Sequence, residues 1–167
     1  AYSGLQRDFP VTNETDANAT TPEKVELGRL LFFDPILSQN DDMSCATCHN
    51  PDLGFSDGMQ QTLGADGETL PRNAMSLWNV TYNTNFFWDG RAATLEEQTN
   101  TPITNADEMA GSPEEIESQL KAIPAYVSLF EQAFESKDAV TYANVQNAIA
   151  AFERTLITNN SPFDRYA

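Results

Sequence analysis

The sequence predicts an all-α domain with long loops, its helices folded over one covalently attached cofactor. Three observations predict it. From Thr141 onward, Val145, Ala148, Ile149, Phe152 and Leu156 recur on one face at the 3.6-residue period of a helix. Ser112-Pro113-Glu114-Glu115 reads as a helix start, with a serine cap, proline at the first helical position and glutamate three residues on. Cys45-Ala46-Thr47-Cys48-His49 places both cysteines and the single histidine of the chain in one pentapeptide.

C-x-x-C-H is the attachment signature of a c-type haem. Two thiols about one helical turn apart can add to the two vinyl groups of a porphyrin, and the next residue then sits under the iron. Cys45 and Cys48 are therefore the expected thioether residues, and His49 the proximal ligand through a neutral imidazole nitrogen. Competing readings fit less well. A thioredoxin-like pair belongs beside a βαβ pattern, which the chain lacks. A structural zinc site wants four Cys or His ligands, and only three such residues exist. A disulfide between Cys45 and Cys48 leaves His49 unexplained.

Charge narrows the partners. The 167 residues carry 25 acidic and 9 basic side chains, a formal net charge of −16. Phosphates would be repelled, which argues against nucleic acid and disfavours anionic membrane surfaces. Such acidity serves solubility or the steering of a basic redox partner. No apolar run approaches the roughly 20 residues of a membrane span. Covalent haem implies maturation outside the cytoplasm, so a periplasmic location with the signal peptide removed is expected.

In chain order, residues 1–22 are polar, with Pro10 and Pro22 as punctuation, and read as a loop-like N-terminal arm. Residues 23–167 read as a single haem domain. Glu23 to Phe33 is a predicted helix with Val25, Leu27, Leu30 and Leu31 on its apolar side, ended by Asp34-Pro35. Leu37 to Asp42 is a polar turn leading into the pentapeptide. After His49, Asn50 to Gly58 is dense in turn formers. The stretch on to Arg72 has Gly64, Gly67 and Pro71 and little periodicity, as expected of a loop walling a haem pocket.

Residues 73–91 are the most aromatic, with Trp78, Tyr82, Phe86, Phe87 and Trp88 expected to pack on porphyrin and core. Arg72 and Arg91 suit haem propionates and surface ion pairs equally. Ala92 to Gln98 reads as a short helix, with a break at Thr101-Pro102 before Asn105 to Met109. The helix capped by Ser112 is expected to run to about Ile123, and Pro124 opens another carrying Tyr126, Val127, Leu129, Phe130 and Phe134.

The chain resembles the N-terminal domain of the bacterial di-haem cytochrome c peroxidases and of the related di-haem enzyme that matures methylamine dehydrogenase. The resemblance runs from Leu27-Gly28-Arg29-Leu30-Leu31-Phe32-Phe33-Asp34 through the pentapeptide to Phe87-Trp88-Asp89-Gly90-Arg91 and Leu95-Glu96-Glu97-Gln98. It ends in Phe152-Glu153-Arg154-Thr155-Leu156 and Ser161-Pro162-Phe163-Asp164. It implies a cytochrome c-like helical fold and makes His49 the proximal ligand of a peroxidatic haem. By the same resemblance Gln98 and Glu108 match the distal pair that acts on hydrogen peroxide. Trp88 matches a tryptophan lying between two haems, and Asn73 matches a ligand of a calcium ion at the domain junction.

Two departures stand out. Many relatives carry a histidine in the loop after the haem site that caps the iron until the second haem is reduced; here the corresponding residue is Ala65, in Leu63-Gly64-Ala65-Asp66-Gly67. An iron that is five-coordinate or binds only water is expected. The chain also stops where the family's second haem domain would begin; one half of a longer protein is the favoured expectation, with a free-standing single-haem relative as the alternative.

The expected function is thus that of a c-type haem peroxidase domain, with Glu108 moving protons during O–O cleavage and Gln98 holding the peroxide. Electrons would come from a second haem domain, or from an outside cytochrome or cupredoxin, with Trp88 near the route. The alternative is a mono-haem electron carrier with a methionine sixth ligand drawn from Met43, Met59, Met75 and Met109. A non-catalytic interaction module with buried haem is a third class.

Overall fold

The computed structural model describes residues 17–166, without the side chains of residues 163 and 164. Most of the expected arm, residues 1–16, and residue 167 lie outside the described residues. The arm's last residues belong to the domain. Asn18 is buried, and its side-chain amide donates to Glu96 Oε1 at 2.7 Å and to the Asn147 carbonyl at 3.0 Å.

Helix α1 (Pro22–Phe33) starts where Thr21 Oγ1 accepts from the Lys24 amide, with proline at the first helical position. Asp34 ends it in extended conformation. One carboxylate oxygen of Asp34 accepts from the Ile36 amide at 3.0 Å, and the other accepts from the Tyr126 hydroxyl at 2.6 Å. The pentapeptide forms the single turn α2 (Cys45–Cys48). Residues 49–94 then run without an α-helix.

Helix α3 (Leu95–Thr104) starts later than expected and passes straight through Pro102. Residues 92–94 are extended instead, with Phe86 and Ala92 bridging, and Thr94 is the cap, accepting from the Glu97 amide at 3.1 Å. Pro102 is tolerated because it sits in the last turns, where only one intrahelical N–H is forgone. Its carbonyl and that of Ile103 are taken by the Met109 and Gly111 amides, which bend the following segment back on the helix.

Helix α4 (Pro113–Lys121) stops before Ile123, and α5 (Pro124–Phe134) follows at the expected proline. Helix α6 (Tyr142–Glu153) is capped by Thr141 Oγ1. A short α7 (Pro162–Tyr166), absent from the sequence reading, begins with the same Ser-Pro pattern as α4. The described residues are thus helical, with isolated bridges and no strands, in an all-α, cytochrome c-like arrangement.

The core lies where α1 packs on α6, with α3 and α5 beside them. Leu27, Leu31 and Phe32 of α1 meet Val145, Ala148, Ile149 and Phe152 of α6, and Ile103, Ile116, Leu120 and Phe130 close the cluster. The α6 stripe is buried as its period requires. The long loops fold over Ile149 and Glu153 of α6 and leave a cavity there.

Candidate active site

That cavity, of about 490 Å³, is where the pentapeptide and the long loops meet. The thiols of Cys45 and Cys48 line it as free cysteines, held one turn apart by α2. Burial pushes the Cys45 thiol up to about 12, with Glu153 adding to it, and the Cys48 thiol up to about 11, so both stay protonated.

His49 leaves α2 in a non-helical conformation, and the loop after it folds into a small hairpin. Asn50 Oδ1 accepts from the Asp52 amide, Gly54 adopts φ +72°, and the Asn50 amide donates to the Ser56 carbonyl at 3.0 Å. This fold delivers the Phe55 carbonyl to His49 Nδ1 at 3.0 Å. A carbonyl can only accept, so Nδ1 carries the proton and Nε2 is the basic nitrogen. Burial lowers the imidazole pKa, outweighing the carbonyls of Phe55 and Met75 and the charges of Asp57 and Glu108, and keeps the ring neutral. Phe55 is itself fixed at φ +55° and packs edge-on against Trp78, ring centroids 5.1 Å apart.

The opposite wall comes from α3. Leu95, Gln98, Thr99, Pro102 and Ile103 all line the cavity, the one-face spacing of a helix. Glu108 lines it too, from the turn after α3, where Asn105 organises the backbone. The Asn105 carbonyl accepts from the Glu108 and Ala110 amides, and its Nδ2 donates to Glu108 Oε1 at 2.8 Å. Gln98, Glu108 and the Cys-x-x-Cys-His turn therefore share one cavity.

The stretch from Thr62 to Arg72 walls this cavity through Thr62, Leu63, Leu70, Pro71 and Arg72. It is more ordered than its sequence suggests: Leu63 and Thr69 bridge, and the Ala65 amide donates to the Asp107 carbonyl at 3.2 Å. Gly64 is needed there, since a Cβ would overlap the Asp107 carbonyl.

At the rim, Arg72 and Arg91 both bind Asp89, at 2.8 and 2.9 Å, and Arg91 lies over the Phe87 ring at 3.6 Å. The hydrogen bonds from Arg72 and then Arg91 hold the Asp89 carboxyl down at about 2. Trp88 is not packed in the core; it is 57% exposed, and its indole N–H donates to the Asn73 carbonyl at 3.1 Å. Trp78 is likewise 39% exposed, while Phe86 is buried. Among the described residues no group of three or more His, Cys, Asp or Glu side chains is placed to hold a metal ion. The described residues also contain no helix long and apolar enough to cross a membrane.

Three parts of the site escape sequence reasoning. The Phe55 carbonyl acts through backbone geometry, and Asn105 through its side chain, whose Nδ2 donates to Glu108 while its Oδ1 accepts from the Asp107 amide two residues on, the spacing of an Asx turn. Glu153 looks like the end of an amphipathic helix, yet it is buried and lines the cavity.

The family model of the di-haem cytochrome c peroxidases matches residues 22–167. The chain belongs to that family. It is 48% identical over 151 residues to the methylamine utilization protein MauG of Methylorubrum extorquens, covering 90% of this chain and 43% of that protein. To the cytochrome c551 peroxidase of Pseudomonas aeruginosa it is 44% identical over 166 residues, covering 98% and 48%. The chain thus spans about half the length of these relatives. Among solved structures, a MauG-like protein associated with microbial copper homeostasis superimposes with a TM-score of 0.90 at 33% identity, covering 98% of this chain and 49% of that one. The diheme peroxidase BthA of Burkholderia thailandensis gives 0.75 at 27% identity, covering 89% and 42%.

The residues of this di-haem peroxidase family member fit the haem that the family name implies. Two free thiols one turn apart border the cavity, and the one imidazole is kept neutral with its Nδ1 proton already placed.

Proposed function

We propose that this chain is the peroxidatic haem domain of a di-haem peroxidase, with residues 23–167 as one unit carrying a single haem c. The observation that carries the reading is that Gln98 and Glu108 line the same cavity as Cys45, Cys48 and His49. When bound, the haem supplies the redox-active iron at which hydrogen peroxide is reduced to water, a reaction that consumes two electrons and two protons.

The protein residues divide the rest of the work. Cys45 and Cys48 would hold the porphyrin, and His49 Nε2, its ring oriented by the Phe55 carbonyl, would bind the iron. Glu108 takes a proton from one peroxide oxygen and returns it to the departing one, held in position by Asn105 Nδ2. Gln98 presents an amide that can both donate to and accept from the peroxide. Leu95, Ile103 and Phe86 exclude water around them. Arg72 and Arg91, at the rim, would meet the propionates, with Asp89 already offsetting one of their two charges.

Electrons arrive from a second haem domain, or from an external cytochrome or cupredoxin, through the exposed indole of Trp88. Asn73 beside it is a candidate calcium ligand, completed by oxygens from elsewhere. The named relatives are bacterial, and a haem c protein of this kind works in the periplasm.

An electron carrier with methionine ligation is the competing reading. Met43, Met75 and Met109 line the cavity, whereas Met59 is 45% exposed. The Met75 backbone also acts on the His49 ring. The ferric spectrum of the haem-loaded protein separates the two. A high-spin spectrum that responds to peroxide, cyanide or azide supports the peroxidase, and a low-spin spectrum with a sulphur-to-iron charge-transfer band supports the carrier. Glu108→Gln should slow peroxide reduction by about 10²–10⁴ with haem content intact; an unchanged rate removes Glu108 from the mechanism.

A further inference from the structure

Glu153 is a buried acid that the reading above does not use. It ends α6, is 5% exposed, and lines the cavity one turn beyond Ile149 on the same helix face. Its Oε2 has no hydrogen-bond partner among the described residues. The arginine next to it is directed elsewhere: Arg154 Nη2 meets Glu96 Oε1 at 2.6 Å, and the same oxygen takes Asn18 Nδ2 at 2.7 Å. Glu96 is therefore the ionised member of the buried pair of acids, and its charge presses Glu153 toward the neutral form.

The charged groups that share the cavity with Glu153 are Asp107 and Glu108 from the turn after α3, and Arg72, Asp89 and Arg91 at the rim, where both arginines pair with Asp89. α2 brings the Cys45 thiol, on which Glu153 acts directly. α1 meets α6 with apolar residues, the Phe32 ring tilted against Phe152 with centroids 5.2 Å apart; its Glu26 and Arg29 pair with each other, Glu23 is exposed, and Lys24 binds Asn18. α4 contributes Glu117, paired with Lys121 and accepting the Tyr142 amide at the far end of α6. The charges that act on His49 come from Asp57 and Glu108.

Burial pushes the Glu153 carboxyl up to about 8, with Arg154 pulling down and Glu96 pushing up, so the group is poised close to neutral pH. Ferric haem carries one more positive charge than ferrous haem, and a nearby positive charge favours the carboxylate. We propose that Glu153 takes up a proton when a haem held at Cys45 and Cys48 gains an electron and releases that proton when the electron leaves, tying the reduction potential of the haem to pH. The step balances. The iron gains one electron from a one-electron donor, and the carboxylate oxygen gains one proton from solvent and becomes a carboxylic acid; oxidation reverses both. It rests on haem attachment at Cys45 and Cys48 and not on the peroxide chemistry.

The test is a spectroelectrochemical titration of the haem-loaded protein from about pH 6 to about pH 9. The midpoint potential should fall with pH, approaching about 59 mV per unit where one proton follows each electron. Glu153→Gln should flatten that slope, and Glu153→Asp should restore a slope with a displaced centre. A coloured wild-type protein with a pH-independent potential overturns the proposal and leaves the peroxidase reading standing, as does a Glu153→Gln variant with the full wild-type slope. A polypeptide that takes up no haem sinks both. Should the variants fail to assemble, redox difference infrared spectra of the wild type decide: reduction should raise the carbonyl band of a protonated carboxylic acid, and its absence overturns the proposal.

Discussion

Gly28 of α1 lies directly against the Ala148 carbonyl of α6, so close that a Cβ at position 28 would overlap that oxygen and press on Phe152. The two helices that carry most of the core can approach this far only because neither presents a large side chain at the crossing. Gly28→Ala should force them apart and destabilise the domain by about 1–3 kcal/mol, the usual range for overpacking. A denaturant titration that returned the wild-type midpoint would show that the crossing can relax at no cost.

The buried pair of Glu96 and Arg154 joins the middle of the fold to Asn18. Arg154 is almost wholly buried, and Glu96 is only 16% exposed at its side chain. Burial raises the Glu96 pKa, but the bonds from Asn18 and Arg154 prevail and hold it below its ordinary value of 4.5. Removing one partner of such a pair leaves the other uncompensated, so Glu96→Ala should cost about 3–5 kcal/mol at neutral pH. The folded pKa is depressed, so this stabilisation is present above the unfolded value and is lost as pH falls through the folded one. The gap between wild type and variant should therefore narrow below about pH 4.5. A gap constant down to pH 3, roughly, would show that the carboxylate charge is not its source.

How much of this is legible beforehand depends on the range of the signal. α6 and α5 can be read because a buried face imposes a period on the sequence, and α2 because haem attachment fixes residue types at fixed spacing. α3 is harder. Thr94 and Glu97 spell its start, but Pro102 reads as a stop, and the helix runs past it because a proline this near the C-terminal end forgoes a single intrahelical N–H. Gln98 lies before Pro102, whereas Glu108 reaches the site from the turn beyond the helix end, so the placement of Glu108 depends on a helix that propensity alone cuts short. Glu153 is invisible for another reason: an acid at the end of an amphipathic helix normally faces water, and its burial is decided by loops far away in sequence.

Asn105 holds Glu108 by its side chain and shapes the turn by its backbone. Asn105→Ala removes the first and leaves the second. Peroxide reduction should slow by about tenfold or more as the carboxylate loses its orientation, with the haem spectrum unaltered. Asn105→Asp should not restore the rate, because a carboxylate cannot donate to Glu108. Full activity in Asn105→Ala would mean that Glu108 is positioned by other contacts.

Trp88 offers a test of electron delivery apart from chemistry at the cavity. Its exposed indole, which also borders the cavity, donates its N–H to the Asn73 carbonyl, so Trp88→Phe removes that bond and the larger ring while keeping an aromatic surface. Reduction driven by a donor protein or by a second haem domain should slow, while stopped-flow reaction of the haem-loaded protein with peroxide should keep its wild-type rate. The split matters, because a general disturbance of the rim through Asp89 would change both rates together. Unchanged donor-driven reduction in Trp88→Phe would place the electron route elsewhere on this face, with Arg72, Asp89 and Arg91 as the adjoining surface to examine next by charge reversal.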